Sequence, residues 1–436
     1  MSAAPAFGSS GIRGPFATLA TPELALALGR AVGASRKRVL VGRDARATGP
    51  LLESAAVAGL LAAGADVALG GVAPTPALAF AGRAFDAALV ITASHNPAAD
   101  NGFKLWEPDG RAFGDRERRD VETNLKAPLR GASWDEVGRA ETMRGVIEDH
   151  VARILDAVGP LPRKLRVVLD CGNGAAHREG PMLLRALGCE VVTLNAQPDG
   201  HFPGRPSEPS EENLAALRQA VVASGADLGL AHDGDADRCM AVTHTGRFVT
   251  GDELLLLFAR EYAGSTIACP VDASRAIEDA SGCRVVRTPV GDAHVSERVA
   301  ALQGAFGGEA SGAWIFPEVS YCPDGPHAAA RLCHMVAQRG PLESQLTDLP
   351  RYPLWRHAWK LTPPDVAPLV ARFADALSDG KLTTLDGVRA DYDEGWILVR
   401  ASGTEPKVRV TVEARDAAGL DALKAKVARV RAFANA

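Results

Sequence analysis

Three aspartates stand one residue apart in HDGDADR: Asp233, Asp235 and Asp237, with Arg238 following the last. Carboxylates this close repel one another, and a hard divalent cation with oxygen ligands relieves the repulsion. A calcium loop of the EF-hand kind needs glycine at its sixth place and glutamate at its twelfth. Arg238 and His244 hold those places, so that reading fails. Arg238 beside the acids favours a site that handles phosphate together with a metal. Mg2+ suits that task because it keeps positions open for phosphate oxygens. An exposed acidic turn would carry the same letters.

A second stretch, VITASHNPAADNGFK at 90–104, ends a buried apolar run in serine, histidine, asparagine and proline and closes on Lys104. Ser94 is either a turn residue or a nucleophile. The G-x-S-x-G elbow of a Ser-His-Asp hydrolase is not here, since Ala93 and Asn96 flank the Ser-His pair. Further on, VRASGTEPKVR at 399–409 sets Ser402, Gly403 and Thr404 in a turn between Arg400, Lys407 and Arg409. Backbone N–H groups, hydroxyls and positive charge make an anion cradle, though a hairpin turn with solvated basic residues would look much the same. GGEASGAW at 307–314 places Glu309 and Ser311 in a glycine-rich loop that lets them reach vicinal hydroxyls of a sugar. FGSSGIRG at 7–14 holds Arg13, and VGRDARATG at 41–49 holds Arg43 and Arg46. Each of these three is weak alone, and for the Glu309 loop a plain loop is the reading the residues favour.

The elements that must position these residues alternate between helix and strand. Thr21-Pro22-Glu23 opens a helix with a cap, a proline and an acid. Strands at 38–44, 66–71 and 87–92 alternate with helices at 50–63 and 75–85. The run 87–92 is apolar on both faces, as a parallel strand covered by helices must be. Open α/β sheets place ligands at the C-terminal ends of such strands, where Ser94 lies. A similar unit follows: strands at 165–170 and 189–195, helices at 181–187 and 211–223, and a strand from 227 into the acidic loop. A third unit has a helix at 252–263, strands near 266–269 and 283–292, and the glycine loop at 307–312. The proline-punctuated stretch 340–359 reads as a linker. Beyond it, a helix near 364–377, two adjacent strands and a final amphipathic helix from Asp416 suggest an α+β domain on an antiparallel sheet. The expected domains are 1–140, 141–242, 243–345 and 346–436.

Composition narrows the class. At 436 residues, 47% hydrophobic and 23% charged, the chain is long enough for several domains and ordinary for a globular protein. A net charge of −5 gives no footprint for nucleic acid or an anionic membrane. No basic segment leads into an apolar one at the start, and no apolar run is long enough to span a bilayer. Seven scattered cysteines, with no C-x-x-C pair, read as free thiols in a reducing cytoplasm.

Together the motifs resemble, in order and over essentially the whole chain, the α-D-phosphohexomutase superfamily of phosphoglucomutase, phosphomannomutase and phosphoglucosamine mutase. TASHNP at 92–97 resembles its phosphoserine loop, DGDADR at 233–238 its Mg2+ loop, GEASG at 308–312 its sugar loop and RASGTEP at 400–406 its phosphate loop. The wording GEASGAWIFPE is most similar to archaeal members. The resemblance implies three related α/β domains around a central cleft, plus a C-terminal α+β domain. It implies that Ser94 carries the phosphoryl group and binds Mg2+ with Asp233, Asp235 and Asp237. Arg13, Lys104 and Arg238 match positions around the reacting phosphate, with Lys104 the first choice of base. Glu309 and Ser311 match sugar contacts. Arg400, Ser402, Gly403, Thr404 and Arg409 match the phosphate cradle. The implied reaction interconverts hexose or hexosamine 1-phosphate and 6-phosphate through a sugar 1,6-bisphosphate, which also serves as activator. A phosphopentomutase or a Mg2+-dependent sugar-phosphate phosphatase is the alternative. The expected partner is a small phosphosugar, without nucleic acid or membrane, and the chain is expected as monomer or homodimer. Many members end the sugar loop in histidine; here Ala313 follows Gly312.

Overall fold

Thr21 caps the first helix as its sequence requires. Its hydroxyl accepts the Leu24 N–H at 3.1 Å, and Pro22 takes the first position of Pro22–Gly33. This helix packs closely on Gly49–Ala62, because a Cβ at Gly29 would stand only 2.1 Å from the Ala56 carbonyl oxygen. The computed structural model describes residues 7–8, 11–127, 131–360, 367–401 and 407–434. Its first sheet has six strands in the order Ile12–Pro15, Asp100–Trp106, Ala87–Ile91, Arg38–Arg43, Asp66–Val72 and Ala140–Thr142. The middle strands are parallel, with apolar residues buried on both faces.

Asp100–Trp106 was not visible as a strand in the sequence. It runs antiparallel to Ala87–Ile91 and sets Lys104 opposite Val90. Asp100, Asn101 and Lys104 give it a loop's composition, yet Asn101 is buried against Thr48 of its own domain and Lys104 against the acidic loop of the second. The chain after Ser94 therefore doubles back as a hairpin, which returns Lys104 toward the same end of the molecule.

The second sheet has the order Phe248–Val249, Cys239–Thr243, Leu228–His232, Arg166–Asp170 and Glu190–Leu194. Its helix Ala176–Ala186 starts five residues before the expected position and keeps Pro181 inside. Ala176, Glu179 and Gly180 are buried there, so tertiary packing outweighs the backbone bond that proline removes. The third sheet is Arg284–Thr288, Thr266–Pro270, Phe306–Gly308 and Trp314–Ile315. Its leading helix, Gly251–Arg260, opens on a capping box between Thr250 and Glu253.

The fourth sheet is antiparallel throughout: Leu354–Lys360, Lys407–Ala414, Gly395–Ala401, Val388–Asp391 and Lys381–Thr383. Its edge strand, Leu354–Lys360, falls where the sequence suggested a linker. Arg356 and His357 obscure its pattern, but Trp355 and Trp359 pack against the sheet's core. That core, of Phe373, Ile397, Val410, Val412 and Leu423 among others, is the domain's own. A different cluster runs continuously through the first three domains, from Leu78 through Leu230 to Phe258 and Cys333. Three α/β domains and a C-terminal α+β domain are thus the architecture, as the sequence implied. Among the described residues no helix is long and apolar enough to cross a membrane. All seven thiols are free.

Candidate active site

The acidic loop is the turn of a hairpin. Leu228–His232 enters it and Cys239–Thr243 leaves it, with His232 paired to Cys239. Ala236 adopts a left-handed conformation at its tip (φ 58°). Asp233 turns inward to accept the Arg238 N–H at 3.2 Å. One carboxylate oxygen from each of Asp233, Asp235 and Asp237 lies within 4.8 Å of the others, and all three residues are buried. Gly234 sits between the domains, where a Cβ would stand 2.7 Å from both the Ser94 carbonyl oxygen and the Ser207 hydroxyl.

Ser94 reaches this loop from the first domain. Its Oγ donates to Asp233 Oδ2 at 2.7 Å. The residue is buried and left-handed (φ 49°), a conformation that a non-glycine residue adopts only when its surroundings impose it. The Thr92 hydroxyl accepts the Ser94 N–H at 2.8 Å. Thr75 adds a second tie between the domains. Its N–H donates to the Asp235 carbonyl at 2.8 Å and its hydroxyl to Asp235 Oδ2 at 2.6 Å.

Three cations surround these acids. Lys104 Nζ donates to Asp235 Oδ2 at 2.7 Å and to Asp237 Oδ2 at 2.5 Å. Burial alone would lower its pKa, but the two carboxylates outweigh it and raise the value. Lys104 is thus an ammonium with its charge fully engaged, and in this state it has no lone pair to accept a proton. To act as the base expected from the sequence, it would first have to pass its own proton to a third group. Arg13, on the strand beside Gly102, and Arg238 complete the set. Burial raises Asp233 well above the usual carboxylate range, with Asp237 and Asp235 adding to it. Asp235 moves the other way: burial opposes its ionisation, and Lys104 and Thr75 more than offset that.

His95 was not singled out in the sequence beyond its place in the motif. Its Nδ1 lies 3.4 Å from Ser94 Oγ. Burial, then Arg238, Arg13 and Lys104, push its pKa down to about 2, so the imidazole is neutral. Adjacency to a candidate nucleophile was the available signal.

Of the other expected residues, Glu309, Ser311 and Arg409 line a cavity of about 530 Å3, together with Glu208, Asp272 and Arg356. Glu309 Oε1 accepts the Gly291 N–H at 2.7 Å, and Oε2 accepts the Ser311 hydroxyl at 3.3 Å. Burial, then Asp292 and Asp272, push Glu309 up to about 7. Arg400 lies 3.7 Å from Asp386, which also accepts the Val290 N–H at 3.1 Å. Ser402, Gly403 and Thr404 lie outside the described residues. Arg238 joins the two groups. It sits 3.6 Å from Glu208 of the cavity wall and forms a β-bridge with Ala313. Ala313, where histidine was the family expectation, is buried in that bridge.

The donor set fits a hard divalent cation. Oδ1 of Asp235 and Oδ1 of Asp237 are buried and have no hydrogen-bond partner. Orphaned buried carboxylate oxygens are costly unless something charged meets them. Among the described residues this is the one cluster of metal-ligating side chains.

Comparison with known proteins agrees along the whole chain. Residues 4–130, 148–246 and 250–352 match alpha/beta/alpha domains I, II and III of phosphoglucomutase/phosphomannomutase, and residues 360–430 match its C-terminal domain. A relative from Methanocella arvoryzae named "probable phosphoglucosamine mutase" is 48% identical over 413 residues, 94% of each chain. One of the same name from Methanopyrus kandleri is 45% identical over 94% of this chain and 93% of its own. The crystal structure of a phosphoglucomutase/phosphomannomutase family protein from Burkholderia thailandensis superposes with a TM-score of 0.88 at 30% identity, covering 98% of this chain and 97% of its own. With four domains matched in order and near-half identity over almost the full length, this chain belongs to the phosphoglucomutase/phosphomannomutase family.

Proposed function

We propose that this enzyme, a hexose or hexosamine phosphomutase by family, moves a phosphoryl group through Ser94, with glucosamine phosphate as its foremost substrate. The carrying observation is the Ser94 hydroxyl aimed at Asp233 from an imposed left-handed conformation, inside a ring of three carboxylates and three cations. The names of the relatives favour the amino sugar.

Asp233, Asp235, Asp237 and phosphorylated Ser94 would hold Mg2+, whose charge would offset that of the phosphoryl oxygens. In transfer, the Oγ–P bond of phosphoserine breaks, a P–O bond forms to the sugar oxygen, and the proton that the sugar hydroxyl gives up ends on the freed Ser94 Oγ. The transition state is loose and spreads charge over the equatorial oxygens, so positioning and fixed charge dominate. Arg13 and Arg238 supply that charge. Lys104, ion-paired to Asp235 and Asp237, holds the carboxylates in place and contributes its own. The bisphosphate must then turn over to return a phosphate to Ser94. Arg400 and Arg409, with Ser402, Gly403 and Thr404, would grip the phosphate not reacting, and Glu309 and Ser311 the sugar between.

The test is intact mass before and after phosphatase treatment, with peptide mapping. One removable phosphate on Ser94 is expected. Its absence, with net release of inorganic phosphate from sugar phosphates, overturns the reading in favour of a hydrolase. Substrate is read from kcat/KM for the 1-phosphates of glucosamine, glucose, mannose, galactose and ribose. A grip on O3 and O4 predicts turnover of the first three, with galactose rejected by up to about 10⁴-fold. A preference for ribose would make it a pentose enzyme.

A further inference from the structure

Arg43 and Arg46 were noted in the sequence only as basic residues of a glycine loop, and nothing above gives Arg46 a role. The structure buries its side chain completely beneath the turn that carries Ser94. Its Nη1 donates to the carbonyls of Pro97 at 2.6 Å and Asp100 at 2.8 Å. Its Nη2 donates to the carbonyls of Ser94 at 2.8 Å and Asn96 at 2.7 Å. A loop's carbonyls ordinarily face water. Here four of them converge on one planar cation, whose fixed fork of donors sets where each must lie.

Asp44 closes the arrangement. Its Oδ2 accepts Arg46 Nε at 3.1 Å and the Thr92 hydroxyl at 2.7 Å, and its Oδ1 accepts the Arg46 N–H at 2.9 Å. The same Thr92 hydroxyl accepts the Ser94 N–H. The N–H of Ser94 is therefore tied to Asp44 through Thr92, and its C=O is tied to Arg46. Both ends of the nucleophile's backbone are set by one buried ion pair. The second domain presses on the same point: the Ser207 hydroxyl donates to the Ser94 carbonyl at 3.0 Å. Phe202, itself left-handed (φ 52°), lays its ring 5.1 Å from the Arg46 guanidinium.

We propose that Arg46, braced by Asp44, is the positioning residue of the nucleophile: it imposes the left-handed backbone that aims Ser94 Oγ at the acidic loop. Arg46 cannot touch substrate, since its side chain is fully buried and its donors are spent on Asp44 and four backbone carbonyls. It acts through Ser94 alone, so the proposal rests on Ser94 being the phosphoryl carrier. In-line transfer tolerates little displacement; a misplacement of about 1 Å costs on the order of 10²-fold. Substrate binding, carried by the distant cavity residues, is untouched.

The test uses Arg46→Lys and Ser207→Ala in the full chain with saturating Mg2+, on glucosamine 1-phosphate and glucose 1-phosphate. A lysine has three donors on a flexible stem and cannot meet four carbonyls at once. Arg46→Lys is expected to lower kcat by about 100-fold with KM within about twofold. Ser207→Ala, which removes one neutral donor from the same carbonyl, is expected to lower kcat severalfold, again at constant KM. The second readout is transfer from glucose 1,6-bisphosphate to dephosphorylated enzyme, followed by intact mass, which should slow by the same factors. A merely structural arginine would lower the melting temperature and leave kcat and the transfer rate per folded molecule at wild-type values; that result overturns the proposal. Should Arg46→Lys fail to give a native melt, Ser207→Ala decides by the same criteria. A wild-type enzyme that takes up no phosphate at Ser94 defeats the mutase reading itself. Wild-type uptake with an equal rate in folded Arg46→Lys defeats the role of Arg46 alone.

Discussion

The two ends of the candidate site are built differently. At the Ser94 end the nucleophile, the lysine and the acids are closed in: Ser94 is 1% exposed, Lys104 3%, and Asp233 and Asp235 0%. Each is tied across a domain boundary by at least one contact of 2.5–2.8 Å. At the cavity end Ser311 and Arg409 are exposed, and Arg356, with its side chain 55% exposed, lies 3.8 Å from Asp252. The first end belongs to domains that share one core; Arg409 and Arg356 stand on a domain with a separate core. A small apolar patch of Val271, Trp396 and Leu398 joins that domain to the third, along with the Arg275 N–H donating to Glu413 at 2.8 Å. The contrast matches the two tasks of the proposed reaction. Phosphoryl transfer needs fixed charges kept from water, where they act strongly. The other end must accept either phosphate of a turning bisphosphate, and a domain on its own core can open to allow it.

The largest effect should come from Ser94→Ala. Loss of a nucleophile is expected to lower isomerisation by at least about 10³-fold, with far-UV circular dichroism unchanged. Near-normal turnover in the folded variant would sink the assignment of Ser94. Asp235→Asn comes next, at about 10²–10³-fold in kcat, and should weaken Mg2+ binding in titration calorimetry. It also removes a partner of buried Lys104, so a stability loss of about 3–5 kcal/mol should accompany it. Unchanged metal affinity and activity would show that the acidic loop is not the metal site.

What the sequence disclosed follows the same division. The Ser94 and aspartate loops could be read because their chemistry is dense and their residues lie next to one another. Parallel strands such as Ala87–Ile91 announced themselves as apolar runs. Asp100–Trp106 did not, because Asn101 is buried against Thr48 and Lys104 against the acidic loop of the next domain, facts no local pattern carries. Leu354–Lys360 was read as linker because an edge strand shows only alternate side chains to a core. The partners of Lys104 were hidden for a related reason. Its ammonium is fixed by Asp235 and Asp237, more than 130 residues away. His95 and Arg46 gained their meaning only from where the chain folded them.

Arg400→Ala tests the looser end. Removing a charge-assisted contact of about 1.5–3 kcal/mol should weaken binding by about 10–150-fold. The 1-phosphate and the 6-phosphate should lose affinity together, because one cradle serves both orientations. The melting temperature should stay put, since among the described residues the ion pair that Arg400 would lose is one to Asp386 at 3.7 Å. A loss confined to one of the two substrates would break the comparison, by showing that this end does not serve both phosphates.

The smallest effect on turnover, and the most selective for the closed end, concerns His150. Its ring sits at the junction of the three domains that share a core. Nδ1 lies 2.6 Å from Glu179 Oε1, Nε2 lies 3.1 Å from Asp324 Oδ2, and the ring centroid is 5.4 Å from that of Phe80. Burial alone would push the imidazole down, but Asp324 and Glu179 outweigh it and raise its pKa to about 10. The folded protein thus keeps a proton that the unfolded chain releases near 6.5. The stability this adds is complete below the unfolded value and is lost as pH rises through about 10. Between those limits the slope from this group is about 1.4 kcal/mol per pH unit. His150→Gln removes the titration, so the difference in melting temperature between wild type and variant should shrink by a few degrees from pH 7 to pH 9.5. Turnover per folded molecule at pH 7 should be nearly unchanged, because His150 makes its contacts with Glu179, Asp324 and Phe80 rather than with Ser94 or the acidic loop. A difference that stays constant with pH would mean that the folded histidine is neutral, and that the closed end is held by packing without this buried charge.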